Sequence, residues 1–297
     1  MQANTQELQK FARYGVPTGK LIPVGDYEMW MYEVGEGRPT VFLHGGGPGC
    51  TGWVDFRPVL PEFSDERRAI FVDLLGFGFS SAIRNQTPRW SFQADHLAAA
   101  LDAQSISNAD FVCSSIGGSV ALALAARRPD LVRKIVISGS QPMDRDAKAP
   151  TPERKQEGMQ AWSKYWAGEG PTREKVRHIM ASLEWWEASL IPEDTVELRY
   201  QYSLEPGQRL VGEDFGNLGA LEDLEHYFPS IKARVLCLWG MDDPFLVAEY
   251  ALSLARALPY ADVYVMSESS HHMFEERPKD YARIVKGFLD SPHDMNE

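Results

Sequence analysis

Apolar residues along this chain fall into two rhythms. Short runs rich in β-branched and aromatic residues read as strands: Tyr27–Val34, Thr40–His44, Ala69–Leu75, Asp110–Ser114, Lys134–Ser138, Arg234–Trp239 and Asp262–Met266. From Thr40 onward these runs are nearly all apolar rather than alternating, which predicts strands of a parallel sheet buried on both faces. Between them, helical periodicity predicts helices over Phe92–Ala103, Gly117–Arg128, Leu246–Ala257 and Pro278–Leu289. Strands alternating with helices predict the α/β class, with a doubly wound, mostly parallel sheet.

One stretch breaks this rhythm. From about Pro142 to Pro229 there is no strand signal, only amphipathic segments at Glu153–Ala167, Thr172–Leu183 and Glu193–Leu204, punctuated by prolines. Strand signal returns at Arg234, so the stretch is expected to be a helical cap (residues 142–229) inserted into a core made of residues 1–141 and 230–297.

Composition narrows the function classes. The 297 residues carry a formal net charge of −12, which disfavours polyanions and so nucleic acid as a partner. The N-terminus has no apolar signal region and no run is long enough to span a bilayer, so a cytoplasmic location is expected, without a membrane partner. Cys50, Cys113 and Cys237 are odd in number and widely spaced, which argues for free thiols rather than disulfides or a metal site.

Three segments carry chemistry, each just after a strand. The first runs from Asp110 to Ser119 and contains Cys113-Ser114-Ser115-Ile116-Gly117. It matches the Gly-x-Ser-x-Gly nucleophile elbow, with Cys113 in place of the first glycine, and nominates Ser115 as nucleophile. Ser114 would need its second glycine at Ile116, and Ser119 sits a turn inside the helix. The second segment is His44-Gly-Gly-Gly-Pro-Gly49. Its exposed backbone amides suit an oxyanion, with Gly46 and Ile116 as the expected donors and Gly45 beside the substrate. Pro48 interrupts any dinucleotide fingerprint, no Gly-Lys-Ser/Thr follows to cradle phosphate, and His44 reads as a brace for the loop.

The third segment supplies acid and base in the order Ser…Asp…His. Gly240-Met-Asp-Asp-Pro244 offers Asp243, chosen over Asp242 by its Gly-x-x-Asp frame. Ser269-Ser-His-His272 offers His271, chosen over His272 by the positions of Glu276 and Pro278. Together these predict a cofactor-free serine hydrolase.

With the loop Asp73–Ser80 after the third core strand, these residues resemble the α/β-hydrolase superfamily across nearly the whole chain. The His-Gly-Gly-Gly-Pro-Gly loop with Gly52-Trp53 beyond it, and the segment Ser189–Tyr200, are similar to the meta-cleavage-product hydrolases. Those enzymes split a carbon–carbon bond in vinylogous diketones from aromatic-ring degradation. The resemblance implies that Arg199 binds a substrate carboxylate, that Ser114 and His272 border the substrate, and that the protein is a dimer or higher homo-oligomer; the cap tryptophans Trp162, Trp166, Trp185 and Trp186 are candidates for the pocket wall or for cap–core packing. The chain departs from that family where it carries Ser114 and Asp55 in place of asparagines, and His272 in place of a tryptophan. An arginine-bearing pocket with an ordinary triad equally suits an ester or lactone carrying a carboxylate, and a ligand receptor on the same fold is the reading of another class.

Overall fold

The computed structural model describes residues 11–12, 14–63, 65–214 and 221–292. Eight strands form one sheet: β1 (Lys20–Val24), β2 (Tyr27–Val34), β3 (Arg38–Leu43), β4 (Arg67–Val72), β5 (Ala109–Ser114), β6 (Val132–Ser138), β7 (Arg234–Gly240) and β8 (Ala261–Met266). Their spatial order is β1-β2-β4-β3-β5-β6-β7-β8. The β1–β2 and β2–β4 pairs are antiparallel, and every later pair is parallel.

The continuous apolar runs have a direct cause. Successive side chains of a strand point to opposite faces, and both faces are covered. Leu43, Cys113, Ile137 and Cys237 pack into one core layer, while Phe42, Val112, Val136 and Leu236 pack into the other. The first layer is closed by α2 (Arg89–Ala103), α3 (Ile116–Arg127) and α8 (Glu249–Ala257), the second by α1 (Gly52–Phe56) and α9 (Pro278–Asp290).

Two edge strands differ from the sequence expectation. β1, with the sequence KLIPV, carries no strong strand signal, and its Pro23 is tolerated because it lies on an edge. β8 alternates between partly buried and exposed positions instead of being buried on both faces, since it is the opposite edge.

Between β6 and β7 the described residues form only helices, chiefly α4 (Pro152–Ser163), α5 (Arg173–Ile179), α6 (Glu193–Ser203) and α7 (Pro206–Asp214). They bury an apolar cluster of their own that includes Tyr165, Ile179, Leu183 and Trp185. The helix expected to run to Leu183 ends at Ile179 and widens into a π-helical turn over Met180–Glu184. No helix among the described residues is long and apolar enough to cross a membrane.

Parallel pairing fixes where chemistry can gather. Leu43 aligns with Cys113, Ser114 with Ser138, and Ser138 with Leu238. The chain therefore leaves β3, β5, β6 and β7 along a single edge of the sheet, and the glycine loop, Ser115, Gly139 and the Asp243 turn follow there.

Candidate active site

Ser115 stands between β5 and α3 with φ 48° and ψ −116°, a backbone conformation that L-residues rarely adopt. Its amide donates to Ser138 O at 2.7 Å, which pins the turn to β6. The turn needs Gly117, because a Cβ there would lie 2.5 Å from Leu43 O. Cys113, in the place of the first elbow glycine, is fully buried in the core beneath.

Asp243 and His271 are brought together from the ends of β7 and β8. Asp243 Oδ2 lies 2.8 Å from His271 Nδ1, and Asp243 Oδ1 accepts from the amide of Phe245 at 2.8 Å. A carboxylate on Nδ1 favours the tautomer whose proton is there, leaving Nε2 as the basic nitrogen. Asp242 lies aside, its amide donating to Ser269 O. Gly139 (φ +62°) makes room for the pair: a Cβ on it would sit 2.4 Å from His271 Cε1 and 3.0 Å from Asp243 Oδ2. The loop carrying His271 is fixed by Glu276, whose Oε2 accepts from Ser270 N at 2.8 Å.

Ser115 and His271 line one cavity of about 350 Å³, together with Gly45, Gly46 and Ile116. That is a size suited to a small ligand. A Cβ on Gly46 would meet Ile116 Cγ2 at 3.3 Å, so the two residues are neighbours. Neither the Gly46 nor the Ile116 amide donates to another group among the described residues. His44 braces this loop from behind. Leu74 N–H donates to His44 Nε2 at 3.0 Å, so the ring proton sits on Nδ1, which donates to Gly45 O at 2.6 Å. Burial holds His44 neutral, lowering its pKa to about 4.

Asp55 also shapes the loop, its Oδ2 accepting from Gly45 N at 2.9 Å. Burial raises its pKa to about 6, against the opposing pull of His272 and Arg199.

Three expected substrate contacts are not found in the cavity wall. Arg199 does not reach the cavity: it is wholly buried, and Glu184 engages it on two prongs, Nη1–Oε2 at 2.9 Å and Nη2–Oε1 at 2.8 Å. Its Nε donates to Pro48 O at 2.6 Å, so an internal carboxylate occupies the place expected for the substrate's. Trp186 is 46% exposed on the surface and lies outside the cavity wall, because the π-helical turn directs Trp185 inward instead. Ser114 is likewise not part of the wall; its Oγ is buried without a partner. Among the cap tryptophans, Trp162 lines the cavity.

Glu184 is the functional residue the sequence reading missed. It lies four residues after Met180 on the buried face of its segment, a glutamate where an apolar residue is expected. Its carbonyl accepts from His272 N at 2.9 Å, and the residue is part of the cavity wall. Burial alone would raise its pKa, but Arg199 and His272 outweigh that and hold it at about 2. His272 in turn lines the cavity, with Nδ1 2.7 Å from Glu275 Oε2. Burial opposes its charge, yet Glu184 and Glu275 raise its pKa to about 9, so it is an imidazolium at neutral pH.

Ligand atoms of Cys50, Glu184 and His272 lie within 4.8 Å of one another. Their chemistry does not suit a metal: burial pushes the Cys50 thiol up, His272 is protonated, and Glu184 is committed to Arg199.

A family model described as the α/β hydrolase fold matches residues 39–278. The chain belongs to the α/β-hydrolase family. Among curated relatives it is 30% identical over 283 residues to 2-hydroxy-6-oxo-2,4-heptadienoate hydrolase of Pseudomonas putida strain F1, covering 91% of this chain and 96% of the relative. It is 31% identical to 2-hydroxymuconate semialdehyde hydrolase of Pseudomonas sp. strain CF600, covering 87% and 89%. A solved meta-cleavage product hydrolase from Pseudomonas fluorescens IP01, complexed with acetates, superposes with a TM-score of 0.78 at 25% identity, over 92% of this chain and 97% of that one. This α/β hydrolase is thus an enzyme of the meta-cleavage-product-hydrolase type.

Proposed function

We propose that the protein is a cytoplasmic, cofactor-free serine hydrolase, with Ser115 as nucleophile, His271 as general base and Asp243 as its orienting carboxylate. Residues 142–229 act as a cap over a core of residues 1–141 and 230–297. The observation that carries the reading is the Asp243–His271 hydrogen bond at 2.8 Å, facing the same cavity as a serine in a strained strand-to-helix turn. In this reading His271 takes the Ser115 proton as Oγ attacks a carbonyl carbon. The Gly46 and Ile116 amides hold the resulting oxyanion; its collapse breaks the scissile bond as His271 returns the proton to the leaving group, and water activated by His271 then releases the acyl group as an acid and restores Ser115.

The substrate proposed is a small dienoic or aromatic carbonyl compound with an acid group, akin to the heptadienoate in one relative's name, and the bond cleaved in this reading is carbon–carbon. The dienol first tautomerises to the keto form, losing its hydroxyl proton as carbon gains one, and hydrolysis at its remote keto carbon follows. A specific observation favours a second reading, a carboxylesterase acting on acidic monoesters. Glu184 neutralises Arg199, and His272 replaces the family's tryptophan, so the surroundings expected for a dienoate are altered.

Two measurements test this. Fluorophosphonate labelling should modify Ser115, and a folded protein in which Ser115 never reacts overturns the triad. A 2-hydroxy-6-oxo-dienoate chromophore paired with a monoalkyl ester of an aromatic diacid separates the two bonds. Consumption of the dienoate supports carbon–carbon cleavage; consumption of the ester alone transfers the assignment to esterase.

A further inference from the structure

Arg199 being committed to Glu184, another group must receive an acidic substrate. Besides His272, whose Nδ1 is paired with Glu275, the cavity wall holds two basic side chains, Arg89 and Lys155. Lys155 Nζ donates to Phe245 O at 2.9 Å. Arg89 has no hydrogen-bond or carboxylate partner among the described residues; its guanidinium lies 5.0 Å from the centroid of the Trp90 ring.

Three facts locate that guanidinium in the cavity rather than on the outer surface. Arg89 and Trp90 both line the wall, and Arg89 is only partly exposed. Desolvation nevertheless lowers its pKa to about 10, with Asp214 pulling weakly the other way. A side chain hemmed in by protein yet still wetted is one that faces an internal space. Nearby carboxylates are engaged elsewhere. Asp214 accepts from Arg84 Nη1 at 2.6 Å and Asn85 N at 3.1 Å, and Glu222 accepts from the amides of Trp90 and Ser91 at the start of α2.

We propose that Arg89 is the anion-binding residue of this cavity and receives the carboxylate of the substrate in place of Arg199. A guanidinium without a hydrogen-bond partner among the described residues can present its planar fork to a carboxylate while its centre lies over the Trp90 ring. Apolar side chains of the same wall, Met159, Trp162, Val211 and Leu221, then accommodate the aromatic or dienoic body. This inference rests on the hydrolase reading above and names the acid-recognition point within it.

The test compares an acidic ester, monoethyl terephthalate, with neutral ethyl benzoate. Arg89→Gln should lower the acid-to-neutral ratio of kcat/KM by about 10- to 100-fold, mainly through KM, as for loss of a charge-assisted hydrogen-bonded pair. Arg89→Lys should recover part of the ratio. An unchanged ratio in Arg89→Gln, or a collapse of the ratio in Arg199→Met or Lys155→Met instead, overturns the proposal. A second measurement uses the wild-type protein and needs neither turnover nor a variant. Benzoate should slow phenylglyoxal modification of Arg89, read by peptide mapping, whereas benzamide should not. Equal modification with and without benzoate also overturns the proposal. Failure of wild-type turnover on both esters counts against the esterase reading alone, and benzoate protection still decides the role of Arg89.

Discussion

Glu184 and Arg199 form a two-pronged ion pair at 2.8 and 2.9 Å, with both side chains buried, one on the π-helical turn after α5 and the other on α6. A charge stripped of water is tolerable only while its partner is present. Glu184→Gln should therefore lower unfolding free energy by about 3 kcal/mol, and the double variant Glu184→Gln/Arg199→Met should regain part of the loss. Urea denaturation of the three proteins measures both. Equal additive losses in the double variant would contradict coupling between the two residues.

The same cluster predicts a pH window. Glu184 is held at about 2 when folded against an ordinary value of 4.5, so its stabilisation is complete above 4.5 and lost as pH falls toward 2. His272 is raised from 6.5 to about 9, so its stabilisation is complete below 6.5 and lost as pH rises through 9. The joint contribution of these two groups to stability should be greatest between pH 4.5 and 6.5, where both are fully present. In Glu184→Gln the alkaline loss should begin at lower pH, since His272 loses one of its two anions; an unshifted alkaline limb counts against the assignment.

Ser115→Ala should remove essentially all covalent turnover, leaving ~10³-fold or more below wild type, while Asp243→Asn should cost about 10⁴-fold in kcat by misorienting His271. Single-turnover kinetics read both. Retained activity in either folded variant means that a different nucleophile or carboxylate serves the reaction.

Gly139→Ala introduces a methyl group 2.4 Å from His271 Cε1 at a left-handed backbone position. Displacing the imidazole by a fraction of an ångström is expected to lower kcat about 100-fold. Circular dichroism should show the fold retained. Wild-type kcat in this variant would mean that His271 need not stay where it stands.

The sheet was legible because each core strand is buried on two faces, which leaves almost no polar position in Val41–Leu43, Phe111–Cys113 or Ile135–Ile137. β1 was not, since a short edge strand with Pro23 buries few side chains. The segments bearing Ser115, Asp243 and His271 could be read because each follows a strand and carries local turn chemistry. Glu184 and Arg199 could not be paired from sequence: a charge on a helix usually faces solvent, and only tertiary packing turns these two inward. Arg89 escaped for a plainer reason. The apolar periodicity of α2 becomes clear only at Phe92, so the residue just after Pro88 looked like loop.

The π-helical turn ending at Glu184 has one more consequence. Through its carbonyl it is tied to the backbone of the histidine loop, and through Arg199 it is tied to the backbone of the glycine loop at Pro48. A movement that lifts this turn to admit substrate or release product must slacken both loops at once. Entry and bond cleavage then belong to separate moments of the cycle, and a protein caught open is also one whose chemistry is switched off.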